Sequence, residues 1–359
     1  MHIGFVIYGS LDIRSGGYLY DRKLVAFLQD QGDRVSLFPL PWRNYPLHVL
    51  QNFWREWASS LAASQIDILI QDELNHPSLF WLNRRLKREA DFPIVALVHH
   101  LRSNEVHPAP LASLYRAIEA RYLRTVDGFI CNSHSTQQAT LALASASSPS
   151  VVAYPGRDPG PPPLQEKEIL ARAQSEGPLR LLFVGNLIPR KGLHTLLEAL
   201  AHVPRDQARL TVVGDDSIDP RYSQRMRALA HHHHLDERIH WAGPVSDETL
   251  RALYSQHHAL VVPSQLEGFG IVYLEAMSYG LIAVGTEAGG AGEIIRPGET
   301  GLLIPPEDAE TLATKLLWLQ SHRSEMGEMG IAAQRAWMDH PTWSDTGARI
   351  RTFLQAQIA

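Results

Sequence analysis

Two glutamates and two neighbouring cations are the residues of this chain whose types and spacing are best suited to chemistry. Glu267 and Glu275 lie eight positions apart, across a turn with two glycines where a predicted strand ends and a helix begins. Arg190 and Lys191 lie at the start of another predicted helix, shortly after a strand. Small residues let the backbone approach a ligand, and free N–H groups at a helix start favour an anion. Together these residues indicate a site for a ligand that is rich in hydroxyl groups and carries a diphosphate.

Packing alone explains each of these features when it is taken separately. The Glu267–Glu275 spacing also fits a tight strand–helix turn followed by a solvated glutamate, and cations at a helix start are often only solvated. The stretch 288–293 adds a third glycine-rich turn in the same half of the chain. Three such turns at one sheet edge are hard to explain by packing, and they favour the interpretation as a ligand site.

The elements around these motifs predict an α/β fold. Short apolar runs alternate with amphipathic segments of helix length, which is typical of βαβ units and a parallel sheet. The proline-rich stretch 155–163 interrupts the alternation and is interpreted as a stiff linker. The predicted strands are Ile3–Tyr8, Arg34–Pro39, Ile66–Gln71, Ile94–His99, Gly128–Asn132, Ser150–Tyr154, Leu179–Val184, Ala208–Val213, Arg238–Ala242, Ala259–Val262 and Leu281–Gly285, and helices are predicted at Tyr20–Gln31, Gly192–His202 and Gln224–His233.

We therefore expect two doubly wound, Rossmann-like domains that face each other across a cleft. The first comprises residues 1–165 and the second comprises residues 166–342. The last segment, 343–359, has helical spacing and no following strand, so we expect it to pack back on the first domain. Open α/β sheets bind ligands beyond the carboxyl ends of their strands, and the cleft is the expected active site.

Composition and charge exclude several classes of protein. The 359 residues include 33 Lys and Arg against 38 Asp and Glu, a formal net charge of −5, which argues against a nucleic-acid-binding protein but leaves a local basic patch open. The single cysteine, Cys131, indicates a reducing compartment and a buried thiol. The chain start lacks the pattern of a signal peptide, and no apolar run approaches the roughly 18 residues of a spanning helix. We expect a cytoplasmic protein, with peripheral contact at the inner face of a membrane left open.

By these motifs, the second half of the chain resembles the retaining GT-B glycosyltransferases of family 4. The Glu267–Glu275 pair matches the E-x7-E motif of that class. The resemblance implies the GT-B fold and transfer of a sugar from a UDP- or GDP-sugar to an unidentified acceptor, with retention at the anomeric carbon. Further matches are 183–192, 213–215, 289–295 and 301–308 in the second half and, more loosely, Gly16–Gly17, Val98–His99 and 127–133 in the first.

The resemblance also implies roles for individual residues. Arg190 and Lys191 would hold the donor diphosphate, Glu275 the ribose hydroxyls, and Glu267 the donor sugar. The implied catalytic residues are Glu267, Lys191, His99 and His100. The implied donor-binding residues are Gly16, Gly17, Asn186, Arg190, Lys191, Gly268, Phe269, Gly270, Ile271 and Glu275.

One position departs from the family pattern. Many members have an arginine directly after the glycine of the first motif, where this chain has Asn186. Arg190, which directly precedes Lys191, is expected to supply the missing charge.

Two pairs of residues in the first half are candidates for contacts with the sugar and the acceptor. Family members often carry a histidine after this strand that contacts the transferred sugar, and either His99 or His100 fits the position. A histidine at a strand end is otherwise more often structural. Asn75 and His76 follow an earlier strand, where acceptor contacts are expected.

Charge development sets the expected mechanism. Departure of a nucleoside diphosphate creates negative charge, which prepositioned cations and helix N–H groups stabilise. The resemblance favours attack by the acceptor on the leaving-group face, with the departing phosphate accepting the acceptor's proton. No D-x-D motif is evident, and Asp215 and Asp216 simply follow a strand, so no metal ion and no other cofactor are expected.

An aromatic and basic stretch of the first half is a candidate lipid-binding face. Tryptophan and leucine at helical spacing, with arginines nearby, suit an anionic lipid surface. Core packing with a solvated charged helix is the favoured interpretation. The apolar members are Leu50, Trp54, Trp57 and Leu61, and the basic ones are Arg43, Arg55 and the run 84–88.

Other functions fit part of this pattern. A nucleotide-sugar epimerase or hydrolase with the same fold would need the same donor site, and so would a catalytically silent protein that only binds a sugar nucleotide. A nicotinamide dehydrogenase is disfavoured, because no G-x-G-x-x-G fingerprint follows the first strand of either domain.

Overall fold

A computed structural model of the chain describes residues 1–13, 15–158 and 164–358. The chain divides into two units, one formed by Met1–Asp158 with Pro341–Ala359 and the other by Pro159–His340. Each unit contains a six-stranded parallel sheet with helices packed around it. The predicted pair of α/β units is therefore confirmed.

Both sheets have the strand order of a doubly wound fold. The strands of the first unit are β1 (His2–Tyr8), β2 (Arg34–Leu40), β3 (Ile68–Asp72), β4 (Ile94–Val98), β5 (Gly128–Cys131) and β6 (Ser150–Val152), in the order β2-β1-β3-β4-β5-β6. Those of the second are β7 (Leu179–Val184), β8 (Ala208–Val213), β9 (Ile239–Gly243), β10 (Ala259–Val261), β11 (Ile282–Thr286) and β12 (Gly301–Ile304), in the order β12-β11-β10-β7-β8-β9.

Helices connect most of these strands. In chain order they are α1 (Gly16–Asp30), α2 (Tyr45–Leu50), α3 (Arg55–Ala62), α4 (His76–Leu79), α5 (Leu82–Glu89), α6 (Ala109–Leu123), α7 (His134–Leu143), α8 (Glu166–Ala173), α9 (Leu193–Ala201), α10 (Pro220–His232), α11 (Asp247–Gln256), α12 (Ile271–Ser278), α13 (Ala309–Ser321), α14 (Arg323–Asp339) and α15 (Trp343–Ile358). Among the described residues, none of these helices combines the length and the apolar composition that a membrane span needs.

The first sheet is covered on both faces, which explains why its central strands are continuous apolar runs. All five residues of β4 are buried. Alternate residues point to opposite faces, so Ile94 and Ala96 join one apolar cluster while Val95 and Leu97 join another. Cys131, at the end of β5, is a buried free thiol as predicted.

Helix α15 packs on α1 as part of the first unit. Ile350 and Leu354 are fully buried. Gly347 lies so close to the ring of Phe27 that a Cβ would stand 2.3 Å from it. Arg351 donates from Nε to Asp33 at 2.7 Å. An apolar stripe, a close approach and an ion pair therefore hold this helix in place.

Part of the proline-rich stretch is packed rather than free. Gly156 lies against Trp343, and a Cβ there would stand 2.2 Å from the backbone nitrogen of Trp343. The N–H of Arg157 donates to the carbonyl of Pro341 at 2.9 Å. Residues 155–158 therefore belong to the first unit and are not a linker, while 159–163 lie outside the described residues.

The single helical face predicted for Leu50, Trp54, Trp57 and Leu61 is wrong. Helix α2 ends at Leu50, a 3₁₀ turn follows, and α3 begins only at Arg55. Trp54 has a ψ of 76°, outside the helical region. Leu61 is buried in the core, whereas Leu50 and Trp54 are exposed. The apolar spacing resembled one helix because two short helices happen to continue the same period.

The remaining differences lie in one strand and at the ends of elements; helix α1, for example, begins at Gly16 rather than Tyr20. The strand β12 was not predicted. Helix α10 begins at Pro220 rather than Gln224, since the side chain of Asp219 accepts the N–H of Tyr222 at 3.0 Å and caps the helix there. Other strand ends differ by one or two residues.

Candidate active site

The motifs of the second unit lie at one edge of its sheet, because each follows the carboxyl end of a parallel strand. Gly185 follows β7, Pro263 comes two residues after β10, and Glu287 follows β11. Strand β10 lies between β7 and β11. The three glycine-rich turns are therefore neighbours, at the edge where open α/β sheets bind ligands.

A buried ion pair joins two of these turns. Lys191 donates from Nζ to Oε2 of Glu267 at 2.8 Å, and the hydroxyl of Ser264 donates to the same oxygen at 2.9 Å. Nη1 of Arg190 lies 3.9 Å from Oε1 of Glu267 and donates to the carbonyl of Leu266 at 3.0 Å. Glu267 is only 8% exposed. Both cations are thus held in fixed positions around one carboxylate.

The pair keeps its charges in spite of burial. Burial alone would raise the pKa of Glu267, but Lys191 and then Arg190 outweigh it and lower that pKa to about 2. Burial lowers the pKa of Lys191, and the charge of Glu267 offsets part of this effect. Two cations therefore lie beside one carboxylate at the sheet edge.

Close backbone contacts hold the turns together. Gly192 has a φ of +71°, and a Cβ there would stand 1.9 Å from the carbonyl oxygen of Pro263. Gly289 has a φ of +83°, and a Cβ there would stand 2.0 Å from the carbonyl oxygen of Glu267. That oxygen accepts the N–H of Gly290 at 2.8 Å. Only glycine fits at Gly192 and Gly289, so the sequence itself specifies how closely the loops approach.

The start of α12 follows the Glu267 loop directly. The helix begins at Ile271, after Gly270 with a φ of +100°. Gly268 and Phe269 form the loop between Glu267 and this helix start. The first N–H groups of a helix have no acceptor within it and favour an anion. The predicted glycine loop therefore does open a helix at this sheet edge.

Glu275 and Asn186 occupy other parts of the second unit. Glu275 lies in the second turn of α12, where its Oε2 accepts the hydroxyl of Tyr254 at 2.9 Å. The ring of Tyr254 stacks on Tyr279 with 5.5 Å between the ring centroids. Asn186 follows Gly185 and is half-buried.

In the first unit, Gly17 lies close to the ring of His99. Helix α1 begins at Gly16, after Ser15, whose hydroxyl accepts the N–H of Tyr18 at 3.3 Å. A Cβ on Gly17 would stand 3.1 Å from Cδ2 of the His99 ring. Two elements that the sequence analysis singled out separately therefore lie side by side.

His99 contacts the fully buried carboxylate of Asp21. Its Nε2 lies 3.0 Å from Oδ1 of Asp21, which is 0% exposed. Burial alone would lower the pKa of His99, but Asp21, followed by Asp72 and Glu73, raises it to about 8. The imidazole is therefore mostly cationic at neutral pH.

His100 points to a different partner. Its Nε2 forms a hydrogen bond with Oε1 of Glu105 at 2.9 Å, and both side chains are partly exposed. The two histidines thus differ in burial and in the carboxylate that each contacts, although they are adjacent in the chain.

Asn75 and His76 lie inside the first unit. Asn75 is 0% exposed and donates to the carbonyl of Asp72 at 2.9 Å. His76 is 1% exposed, with Nδ1 at 3.0 Å from the carbonyl of Glu73 and Nε2 at 2.9 Å from the hydroxyl of Tyr45. Neither side chain reaches the surface of this unit.

Sequence reasoning missed several residues that contact the predicted ones, among them Asp21, Ser264 and Tyr254. Asp21 lies four positions after Gly17 on α1. This spacing places both residues on one side of the helix, and it is the sequence signal that could have identified Asp21. Ser264 lies in the same loop as Glu267, where a hydroxyl is a natural partner for a carboxylate. Tyr254 is more than twenty positions from Glu275, and nothing in the sequence joins the two.

Among the described residues, side chains of metal-ligating types form two groups, both in the first unit and all buried except the partly exposed His99. Burial raises the pKa of Asp72 to about 7 and that of Glu73 to about 8, so protons can balance part of the negative charge. Within each group, one ligand atom per residue lies within 4.8 Å of the others. The groups are Asp21, Asp72 and His99, and Glu73, His76 and Glu119.

Comparison with known proteins identifies the family. Residues 165–336 match the family described as "Glycosyl transferases group 1", and residues 15–160 match "Glycosyltransferase Family 4". The chain is 30% identical over 279 residues to the D-rhamnosyltransferase WbpZ of Pseudomonas aeruginosa, an alignment that covers 72% of this chain and 71% of that protein. The chain belongs to the group 1 glycosyltransferases of family 4.

Solved structures show that this family 4 glycosyltransferase has the GT-B fold. A sucrose-phosphate synthase from Thermosynechococcus elongatus matches with a TM-score of 0.82 at 21% identity, over 99% of this chain and 98% of that one. Anabaena HepE in complex with UDP-glucose matches with a TM-score of 0.79 at 20% identity, over 99% of this chain and all of that one. The family and the fold expected from the resemblance are both confirmed.

Proposed function

We propose that this family 4 glycosyltransferase moves a sugar from a UDP- or GDP-sugar to an acceptor, with retention at the anomeric carbon. The observation that carries the proposal is the buried pair of Lys191 with Glu267, with Arg190 beside it. Two fixed cations at the carboxyl edge of a parallel sheet complement a diphosphate, because charge-assisted hydrogen bonds to phosphate are strong ones.

The comparisons support a nucleotide-sugar donor. HepE, which shares the fold of this chain, is known in complex with UDP-glucose. The curated relative with 30% identity is named for transfer of D-rhamnose. These names describe those proteins. For this chain, a nucleotide-sugar donor is proposed from them together with its own cationic site at Lys191 and Arg190.

Each candidate site residue of the second unit has a proposed role. Lys191 and Arg190 bind the diphosphate and stabilise the charge that develops on it as the glycosidic bond to the leaving group breaks. The N–H groups of Gly268–Ile271 share that charge at the start of α12. Glu267 orients the donor sugar through its hydroxyls, and Glu275 binds the ribose hydroxyls. Asn186 lines the same turn as Lys191.

His99 is the proposed sugar-contacting residue of the first unit. Its Nε2 is occupied by Asp21, while Nδ1 makes no hydrogen bond to any described residue. A cationic imidazole at this position donates from Nδ1 to a hydroxyl of the transferred sugar. Gly17 permits the close approach of the α1 start to this ring. His100, which pairs with Glu105, is the alternative that the variants below separate from His99.

We propose that the reaction needs no metal ion. Lys191, Arg190 and the start of α12 supply the positive charge that a metal provides at other diphosphate sites. The acceptor attacks from the face that the diphosphate leaves, and a phosphate oxygen takes its proton. Full loss of turnover in a chelator, restored by a divalent cation, would refute this part.

Binding of the donor is the most informative experiment. A panel of UDP- and GDP-sugars is screened by thermal shift, since a ligand that binds only the folded state raises the unfolding midpoint. We expect one nucleotide class to raise the midpoint of the natural protein and not that of Lys191→Met. Lys167→Met, in an exposed position of α8, is the control and should respond as the natural protein does.

Nucleotide release separates transfer from the alternatives. Release that depends on an added acceptor pool indicates transfer, whereas equal release without acceptor indicates a hydrolase. Binding with no turnover in any pool indicates a silent binding protein. A midpoint shift that survives Lys191→Met would place the donor elsewhere and overturn the proposed site.

A further inference from the structure

The first unit presents an apolar surface that its own core does not use. Single apolar side chains are normal on a protein surface, but a cluster of large ones marks an interaction site. We call this cluster the aromatic face. Its members, each between 41% and 63% exposed, are Trp42, Leu47, Leu50, Phe53, Trp54 and Trp81.

The first half of the aromatic face is held by α2 and the segment before it. The ring of Trp42 packs edge-on against Tyr8, with 5.7 Å between the centroids. The N–H of Arg43 donates to Nε2 of His48 at 2.7 Å, which ties this segment to α2. Leu47 and Leu50 are one turn apart on α2 and share a side of the helix.

Asn52 fixes the second half. Its amide donates to the carbonyls of Val49 and Pro77 at 2.9 and 2.7 Å, and its oxygen accepts the N–H of Trp81 at 2.8 Å. The rings of Phe53 and Trp81 meet with 5.7 Å between their centroids. The face is therefore built into the fold and does not depend on a partner to assemble.

Basic side chains accompany the aromatic face. Arg43, Arg55 and Arg84 are all exposed, and each lies within three positions of a tryptophan of the face. None of the three forms an ion pair with an acidic side chain in the part of the chain that the structure describes. Their charges are thus available to an anionic partner.

The charge of the chain is divided unequally between its units. The first unit has 17 Lys and Arg against 15 Asp and Glu, and the second has 16 against 23. The surface of the first unit is more basic than these counts show, because several of its acids are buried. The buried acids are Asp21, Asp33, Asp72, Glu73 and Glu119.

We propose that the aromatic face docks on a membrane surface that contains anionic lipid. Tryptophan favours the level of the lipid headgroups, and arginines beside it attract lipid phosphate. A second copy of the chain fits this face poorly, because a two-fold contact would bring the same arginines together.

The docking surface reaches the edge of the first sheet. Trp42 comes two residues after the carboxyl end of β2. Ligands of open α/β sheets bind at the carboxyl edge of the strands. Docking through Trp42 therefore brings this edge of the first sheet next to the lipid. An acceptor held in the membrane would then lie close to the edge of the sheet where ligands bind.

Vesicle flotation tests the apolar part of the proposal. The natural protein should float with vesicles of phosphatidylcholine and phosphatidylglycerol, and float less with phosphatidylcholine alone or in high salt. Leu50→Ser with Phe53→Ser should weaken binding by roughly tenfold or more, because each change removes apolar burial. Ile218→Ser is the matched control, since Ile218 in the second unit is 57% exposed, like Leu50.

Charge variants test the electrostatic part. Arg55→Gln with Arg84→Gln should weaken binding to the anionic vesicles by roughly fivefold per arginine and reduce its salt dependence. Arg209→Gln with Arg221→Gln, exposed positions of the second unit, should leave binding unchanged. Failure to float with anionic vesicles, or equal loss in the control variants, would overturn the proposal. So would a dimer in solution that the Leu50 and Phe53 changes dissociate.

Discussion

The ammonium group of Lys191 lies 2.8 Å from the carboxylate of Glu267, and this contact joins two loops that follow different strands. Ser264 donates to the same carboxylate oxygen at 2.9 Å. A cation that is already held by the protein needs little reorganisation when a phosphate arrives. The proposed donor site of the second unit therefore has its cation in position before a donor binds.

Removing Lys191 should affect both stability and donor binding. Lys191→Ala leaves Glu267 buried without its nearest cation, and breaking a buried pair on one side costs about 3–5 kcal/mol. We expect a lower free energy of unfolding in urea and no donor-induced rise of the midpoint. Lys191→Met with Glu267→Gln removes both charges and should recover part of the stability but none of the binding.

The same pair gives the second unit an acid-sensitive stability. The folded pKa of Glu267 is about 2, below its ordinary value of 4.5, so its contribution is present above pH 4.5 and is lost as the pH falls towards 2. Glu267→Gln should be less stable than the natural protein at neutral pH. The difference should shrink as urea unfolding is repeated at lower pH, and a difference that stays constant would argue against the buried pair.

Gly192 should be intolerant of a side chain. In Gly192→Ala, the new Cβ would stand 1.9 Å from the carbonyl oxygen of Pro263, so the Lys191 turn must move. Gly298 has a similar φ of +78° but nothing within 4 Å of the position of a Cβ. Gly298→Ala should therefore cost only about 1–2 kcal/mol of stability, from the left-handed backbone. Gly192→Ala should cost more and abolish donor binding, as measured by urea unfolding and thermal shift.

Asp21 should set the pH range in which His99 works. The carboxylate of Asp21 is the main cause that raises the pKa of His99 to about 8, so activity that needs the imidazolium should fall above pH 8. Asp21→Asn should move this alkaline limb of the kcat/KM profile down by about one pH unit. The substitution keeps the size of a side chain that is fully buried.

A matched variant separates the two histidines. Glu105 contacts His100 at 2.9 Å in the way that Asp21 contacts His99. Glu105→Gln should leave the alkaline limb in place if His99 contacts the sugar. A limb that moves with Glu105→Gln and not with Asp21→Asn would assign the role to His100.

Glu275 should contribute to donor affinity through the nucleoside. Its carboxylate is oriented by the hydroxyl of Tyr254 at 2.9 Å. Glu275→Gln should weaken donor binding roughly tenfold, by analogy with the loss of a charge-assisted hydrogen bond. Tyr254→Phe keeps the carboxylate but removes this hydrogen bond to it, so titration calorimetry should show a smaller loss. Equal donor affinity in the natural protein and both variants would show that Glu275 does not bind the donor.

The sequence predicted the alternation of elements and most of the motifs well, because both depend on local patterns. Buried parallel strands are apolar runs, and positive-φ turns such as that at Gly192 demand glycine. The Glu267–Glu275 spacing is likewise read directly from the chain. Each of these features is specified by residues close together in sequence.

Features that depend on distant contacts were not predictable in this way. Tyr254 reaches Glu275 from another helix, and the burial of Asn75 and His76 depends on how several helices pack. The break at Trp54 separates two short helices whose combined spacing imitates one. Trp54 is exposed at that break, and the periodic pattern alone does not show the break.

The most direct test is the fate of the donor sugar in the presence of acceptor. The natural protein is incubated with the donor that stabilises it, carrying a ¹³C label at the anomeric carbon, and with an acceptor pool that supports nucleotide release. NMR of the product then reports the anomeric configuration. We expect a labelled glycoside with the configuration of the donor, formed by the natural protein and not by Lys191→Met. An inverted product, or equal product from Lys191→Met, would contradict this expectation.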